Sequence, residues 1–152
     1  MTRPKLLCVD DDPQMCGMYE KVLGSHGYDV VTAEGASEAL HVFHSKDQQI
    51  DAVISDYEMP GMSGAELAAE LKHENPQLPV IMVSGCQPVV EEAGHFVDAA
   101  VLKGSPIHAV LDQIDALLAS QALSRHSARR SPLVALLAGV AVCVLLIPKF
   151  LK

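Results

Sequence analysis

The sequence predicts an α/β fold: a five-stranded parallel sheet with helices on both faces, doubly wound, followed by one C-terminal transmembrane helix. Three observations carry this. Short apolar runs alternate with amphipathic stretches five times between Lys5 and Leu118, a pattern that implies parallel strands joined by right-handed helical crossovers. The runs are apolar nearly throughout, as in Leu6-Leu7-Cys8-Val9 and Val80-Ile81-Met82-Val83, which is how strands covered on both faces read. Beyond the last amphipathic stretch, residues 133–147 are fifteen uncharged residues, apolar on every side, as a segment facing lipid would be.

In order, Lys5 to Val9 is the first strand. Asp12 and Pro13 then supply an N-cap and a first helical position, and Met15, Met18, Tyr19, Val22 and Leu23 follow at helical spacing until Gly27 stops the helix. Asp29 to Thr32 is the second strand. Ala36 to His44 is a helix with Ala39, Leu40 and Phe43 on one side. Asp51 to Ser55 is the third strand. Ser63 caps a helix carrying Leu67, Ala68 and Leu71, and Asn75-Pro76 closes it. Pro79 to Val83 is the fourth strand, residues 87–95 a short and weakly patterned helix, and Ala99 to Leu102 the fifth strand. Pro106 opens a last helix with Ile107, Val110, Leu111, Ile114, Leu117 and Leu118 on one face. Domain 1–123 is thereby complete. Residues 124–131 are expected to form a polar, basic linker, and residues 132–151 the membrane-spanning helix.

Charge divides the chain the same way. Net charge is −8, but all 19 acids lie in residues 1–123, whereas residues 124–152 hold five basic residues and no acid. An acidic domain followed by a basic tail points to two regions with different partners and argues against nucleic-acid binding. The four cysteines, Cys8, Cys16, Cys86 and Cys143, show no C-x-x-C spacing and read as reduced packing thiols. The seven histidines show no metal-ligand spacing. The N-terminus runs straight into a strand, with no apolar stretch of signal-peptide length.

The chemistry gathers at strand ends. Asp10 and Asp11 end the first run, Asp56 the third, Ser84 the fourth and Lys103 the fifth. In a parallel sheet these ends converge on one edge, where open α/β sheets place their ligands. Taken singly, each has a plain reading: a helix cap, a turn, a surface lysine. Taken together they do not, because four chance placements would have to coincide on one edge. Clustered carboxylates repel unless a cation lies between them, and a hard ion such as Mg²⁺ prefers carboxylate and carbonyl oxygens. Asp10, Asp11 and Asp56 therefore read as a Mg²⁺ pocket. A carboxylate can also act as a nucleophile and take a phosphoryl group, whose oxygens the ammonium of Lys103 and the hydroxyl of Ser84 would then stabilise.

The segments LLCVDDDP, AVISDYEMPGMSGAEL, PVIMVSG and AVLKGSP, in this order, resemble the receiver domain of two-component response regulators, a flavodoxin-like fold shared with the chemotaxis response regulator. The resemblance covers about residues 4–121. It implies that Asp56 is the phosphoacceptor, that Asp11 and Asp56 bind Mg²⁺ directly with the backbone carbonyl of Glu58, and that Asp10 acts mostly through water. It further implies that Ser84 is a switch hydroxyl, that Lys103 pairs with the phosphoryl group, and that the donor is a phosphohistidine on a sensor histidine kinase or a phosphotransfer protein. It implies no enzymatic turnover beyond self-phosphorylation and dephosphorylation. The chain departs from the family at Ala100, where Tyr or Phe is common, and at Lys103-Gly104-Ser105-Pro106, where Lys-Pro is usual. The stretch from Ser84 to Lys103 is also short. A phosphorylation-independent receiver acting as a binding module is the alternative.

Some 30 residues beyond the last helix are too few for a DNA-reading module, so signalling to an unknown downstream protein is expected. The uncharged run 133–147 would reach roughly 22 Å as a helix, and residues 132–151 roughly 30 Å, about the thickness of a hydrocarbon core. Arg125, Arg129 and Arg130 precede it, which places the chain in the inner (cytoplasmic) membrane with the receiver facing the cytoplasm. Ala135, Gly139 and Cys143 recur every four residues and suggest pairing of two such helices. A soluble receiver whose tail docks in a partner's groove is the remaining alternative.

Overall fold

A computed structural model describes residues 3–85 and 97–130. Its elements run β1 (Lys5–Val9), α1 (Pro13–Ser25), β2 (Asp29–Ala33), α2 (Ala36–His44), β3 (Ala52–Asp56), α3 (Gly64–Glu74), β4 (Val80–Ser84), β5 (Ala99–Leu102) and α4 (Ile107–Arg130). The five strands form one sheet in the order β2-β1-β3-β4-β5, and every pairing is parallel. The chain thus winds outward in both directions from β1 and β3. The expected helix 87–95 lies outside the described residues.

The side-chain alternation of β1 divides the interior in two. Leu7 and Val9 join Val53, Val80 and Met82 under α2 and α3, where Ala36, Ala39, Leu67, Ala68 and Leu71 cover them. Leu6 and Cys8 point the other way, with Ile54, Ile81, Val83 and Val101 under α1 and α4, against Tyr19, Leu23, Val110 and Ile114. Both faces are covered, so the strands carry no polar alternation.

Local signals set the helix boundaries. The Asp12 carboxylate accepts from the Gln14 N–H at 2.9 Å, with Pro13 in the first turn. At the other end of α1, Gly27 takes φ +95°; its N–H donates to Gly24 O and that of Tyr28 to Leu23 O, the paired bonds of a Schellman stop. At α3, Ser63 and Glu66 form a reciprocal capping box.

Two expectations need correction. First, β3 and β4 each begin and end one residue later than the apolar runs suggested, and β2 extends to Ala33. Asp56 and Ser84 are the last residues of their strands, because the ladder continues past them: Tyr57 N–H donates to Val83 O at 2.9 Å and Lys103 N–H to Ser84 O at 2.8 Å. Second, the last helix runs further than its apolar face suggested: residues 124–130, expected as a polar, basic linker, continue α4 to Arg130. Ser, Arg, His and Ala all tolerate helix, and neither Gly nor Pro interrupts residues 107–130. The chain divides into two units at this helix, Met1–Leu118 and Ala119–Lys152. In the second, Leu123 is 73% exposed. Among the described residues no helix is long and apolar enough to cross a membrane; the expected span 132–151 lies outside them.

Candidate functional site

The C-terminal ends of β1, β3 and β5 bring the acids and the lysine together. Carboxylate oxygens of Asp10, Asp11 and Asp56 all lie within 4.8 Å of one another. Asp10 and Asp56 are 1% and 2% exposed, because each sits at the mouth of a strand buried on both faces. Asp11, one residue into the loop, is exposed. The three therefore form a cup with two buried walls and one open rim.

Lys103 closes one side. Its Nζ donates to Asp56 Oδ2 at 2.7 Å and lies 4.0 Å from Asp10 Oδ2. Lys103 also borders an apolar recess of about 310 Å³ formed with Met15, Met18, Tyr19, Ile107 and Val110, and its side chain stays partly exposed while the head reaches the acids. The turn that aims it uses Gly104 at φ +86°. The lysine's ammonium is disfavoured by partial burial, but the hydrogen bond to Asp56 and the charges of Asp10, Asp56 and Asp11 more than offset this, and its pKa ends above the ordinary lysine value.

Asp10 shows the opposite balance. Burial raises its carboxyl above the ordinary range, and the charges of Asp56 and Asp11 add to this; the Asp12 N–H and Lys103 offset it only in part. The Asp12 N–H donates to Asp10 Oδ1 at 2.9 Å and fixes the carboxylate's orientation. The Cys16 thiol contacts Asp10 O at 3.4 Å and Ala33 O at 3.6 Å, pinning the backbone beneath. Glu58 reaches the site through its N–H, which donates to Asp56 Oδ1 at 3.3 Å, while its residue is exposed. Ser84 is fully buried at the end of β4, and its carbonyl holds the Lys103 N–H. Ala100 packs at the edge of the α2–α3 core.

Two contributors escaped the sequence reading. A Cβ on Gly64 would lie 2.0 Å from Asp56 O and 2.9 Å from Met82 Sδ, so α3 can begin where it does only because residue 64 has no side chain. Ser55, read simply as strand, donates its hydroxyl to Asp56 O at 2.9 Å. The contact at Gly64 depends on how β3 and α3 meet in space and has no local signal in the sequence.

The family described as Response regulator receiver domain matches residues 6–103. Among curated relatives, the transcriptional regulatory protein GlrR of Escherichia coli is 43% identical over 79 residues, covering 52% of this chain and 17% of that protein. The probable transcriptional regulatory protein TcrX of Mycobacterium tuberculosis is 31% identical over 116 residues, covering 74% of this chain and 49% of that protein. The chain thus spans less than half the length of either. Among solved structures, the response regulator protein TrrA of Thermotoga maritima, in complex with Mg²⁺-BeF, superposes with a TM-score of 0.70 at 29% identity, over 75% of this chain and 98% of that one. A response regulator receiver protein of Pseudomonas putida gives 0.67 at 30%, over 76% and 98%.

Proposed function

This chain belongs to the response regulator receiver domain family, and from that premise we propose that Asp56 accepts a phosphoryl group from a phosphohistidine on a sensor histidine kinase or phosphotransfer protein, and that the phosphorylated chain signals by contact with another protein. The observation that carries this reading is the cup of Asp10, Asp11 and Asp56 with the Lys103 ammonium 2.7 Å from Asp56.

In the transfer, an Asp56 carboxylate oxygen forms a bond to phosphorus as the P–N bond to the donor imidazole breaks. The electron pair of that bond goes to the leaving nitrogen, which takes up a proton from solvent, and the product is an acyl phosphate. Lys103 already holds Asp56 through an ion pair and would pass to a phosphoryl oxygen as charge builds there. The Ser84 hydroxyl, one strand over, would respond to the same group.

The donor set suits Mg²⁺: three carboxylates of hard oxygens, two of them buried, one at an open rim. Asp10, Asp11 and Asp56, with the backbone carbonyl of Glu58, would hold it. When bound, the ion supplies positive charge that screens the clustered acids and the phosphoryl oxygens. The test is labelling with a small donor such as acetyl phosphate, followed by transfer from candidate kinases. Labelling that requires Mg²⁺ and disappears in Asp56→Asn is expected. Undiminished labelling of Asp56→Asn, or labelling indifferent to chelator, refutes the assignment. A chain that binds its partner equally well without any label would be the phosphorylation-independent module instead.

The second part of the reading is attachment: residues 132–151 cross the inner membrane once, with the receiver in the cytoplasm. The uncharged run 133–147 and the arginines before it support this. The full chain should stay with membranes through an alkaline wash. Release by salt alone would mean surface adhesion.

A further inference from the structure

We infer that Ser55 is a positioning residue for the phosphoacceptor, acting through the peptide that joins Asp56 to Tyr57; the inference rests on the proposed phosphorylation of Asp56. Ser55 is a polar side chain in the middle strand of the sheet, 1% exposed, paired with Val9 on one side and Met82 on the other. A hydroxyl there costs desolvation unless it is bonded, and its bond goes to Asp56 O at 2.9 Å. Gly64 approaches the same oxygen, leaving no room for a Cβ.

The surrounding groups fix what remains of this segment. Tyr57 N–H donates to Val83 O, and Tyr57 O accepts from Gly64 N–H, both at 2.9 Å. The carbonyl of Asp56, the N–H of Tyr57 and the carbonyl of Tyr57 therefore each have an assigned contact. These atoms set the torsions on the C-terminal side of the Asp56 Cα, and hence the direction in which its carboxylate leaves the strand. The Ser55 hydroxyl is the one side-chain donor in that set. Without it, the 56–57 peptide stays anchored by the Tyr57 N–H on Val83 O but loses the donor on its carbonyl, so it can tilt about that remaining bond and shift the Asp56 Cα and carboxylate relative to the Lys103 ammonium and to Asp10 and Asp11. Displacements of this size matter because transfer requires the attacking oxygen in line with the phosphorus; misplacement by about 1 Å costs up to about a hundredfold in rate.

The experiment compares the full chain with Ser55→Ala and Ser55→Cys, labelled by acetyl phosphate at saturating donor and Mg²⁺. Ser55→Cys keeps the shape and a weak donor. The maximal labelling rate should fall roughly tenfold in Ser55→Ala and less in Ser55→Cys, while unfolding midpoints place both variants as fully folded at the assay temperature. A structural role alone would leave the rate at saturation unchanged in molecules that are folded. Ser55→Ala labelled at the wild-type maximal rate overturns the inference and leaves the Asp56 assignment standing. An equal loss in both variants that tracks their unfolding midpoints also overturns it. A wild-type chain that takes no label at Asp56 refutes the functional reading itself.

Discussion

Gly64→Ala is the substitution on which the described packing makes the sharpest demand. The added Cβ would stand 2.0 Å from Asp56 O, 2.9 Å from the Asp56 carbonyl carbon and 2.9 Å from Met82 Sδ. Carbon and oxygen in contact need more than about 3 Å, so α3 must lift from β3 by at least about 1 Å. The neighbours cannot yield by rotating a side chain, since the nearest atoms are backbone in a central strand. Lifting the helix stretches the 2.9 Å bond from Gly64 N–H to Tyr57 O beyond useful length, at about 1 kcal/mol. Overpacking against Met82 adds about 1–3 kcal/mol. The expected loss is about 2–4 kcal/mol, read from urea unfolding followed by far-UV circular dichroism. Gly17→Ala is the internal control. Gly17 lies inside α1 with nothing within 4 Å of its would-be Cβ, so the same chemical change there should raise stability by about 0.5–1 kcal/mol through helix propensity. If Gly64→Ala matched the wild type within about 0.5 kcal/mol, the contact between α3 and the Asp56 carbonyl would be wrong, and the account of the site's geometry with it.

Three further outcomes are expected. Asp10→Asn keeps an acceptor for the Asp12 N–H but removes a buried charge, so the metal-free protein should gain about 1 kcal/mol while losing stabilisation by Mg²⁺; a destabilised metal-free variant would contradict this. The raised Asp10 carboxyl sets the pH dependence: its protonated form is favoured in the fold, so its contribution to stability is present at low pH and is lost as pH rises through the raised value. Mg²⁺ needs the deprotonated form, so apparent Mg²⁺ affinity, followed by calorimetric titration, should fall as pH drops through the raised value, earlier than for an ordinary carboxylate; affinity that falls only where ordinary carboxylates protonate would speak against Asp10 as a ligand. Cys8 and Cys16 are buried, and burial pushes both thiols up. In a Cys86→Ser/Cys143→Ser background they should resist a thiol reagent until urea unfolds the domain, and labelling at the rate of a free thiol would show that the α1 face opens.

The sheet was legible because its strands are short apolar runs buried on both faces, and a run such as Val80-Ile81-Met82-Val83 has no polar residue to confuse its assignment. The converging ends of β1, β3 and β5 followed from that alternation. Asp56 and Ser84 are legible as the ends of their apolar runs, but that they belong to the strands themselves is set by hydrogen bonds made by Tyr57 and Lys103 to neighbouring strands. The unequal burial of Asp10 and Asp11 also depends on where the strand stops relative to its neighbours. Residues 124–130 read as a linker because they lack apolar periodicity, yet helix there needs only the absence of a breaker. Contacts between distant segments, such as Lys72 with Asp98 at 2.6 Å or Tyr28 with Asp115, have no local signature at all.

Lys103 is held at both ends: its amide donates to Ser84 O at 2.8 Å and its ammonium to Asp56 Oδ2 at 2.7 Å. The residue therefore joins the ends of β4 and β5 to the Asp56 carboxylate within a single residue. An event that draws the ammonium away from its present oxygen removes one of the two bonds that hold this residue at the strand end. Hydrogen–deuterium exchange at the Lys103 amide then becomes a native reporter of occupancy at Asp56, readable without a radiolabel or a known downstream protein. If the proposed phosphorylation occurs, exchange at this amide should change on addition of a donor with Mg²⁺ and not with Mg²⁺ alone, and should stay unchanged in Asp56→Asn.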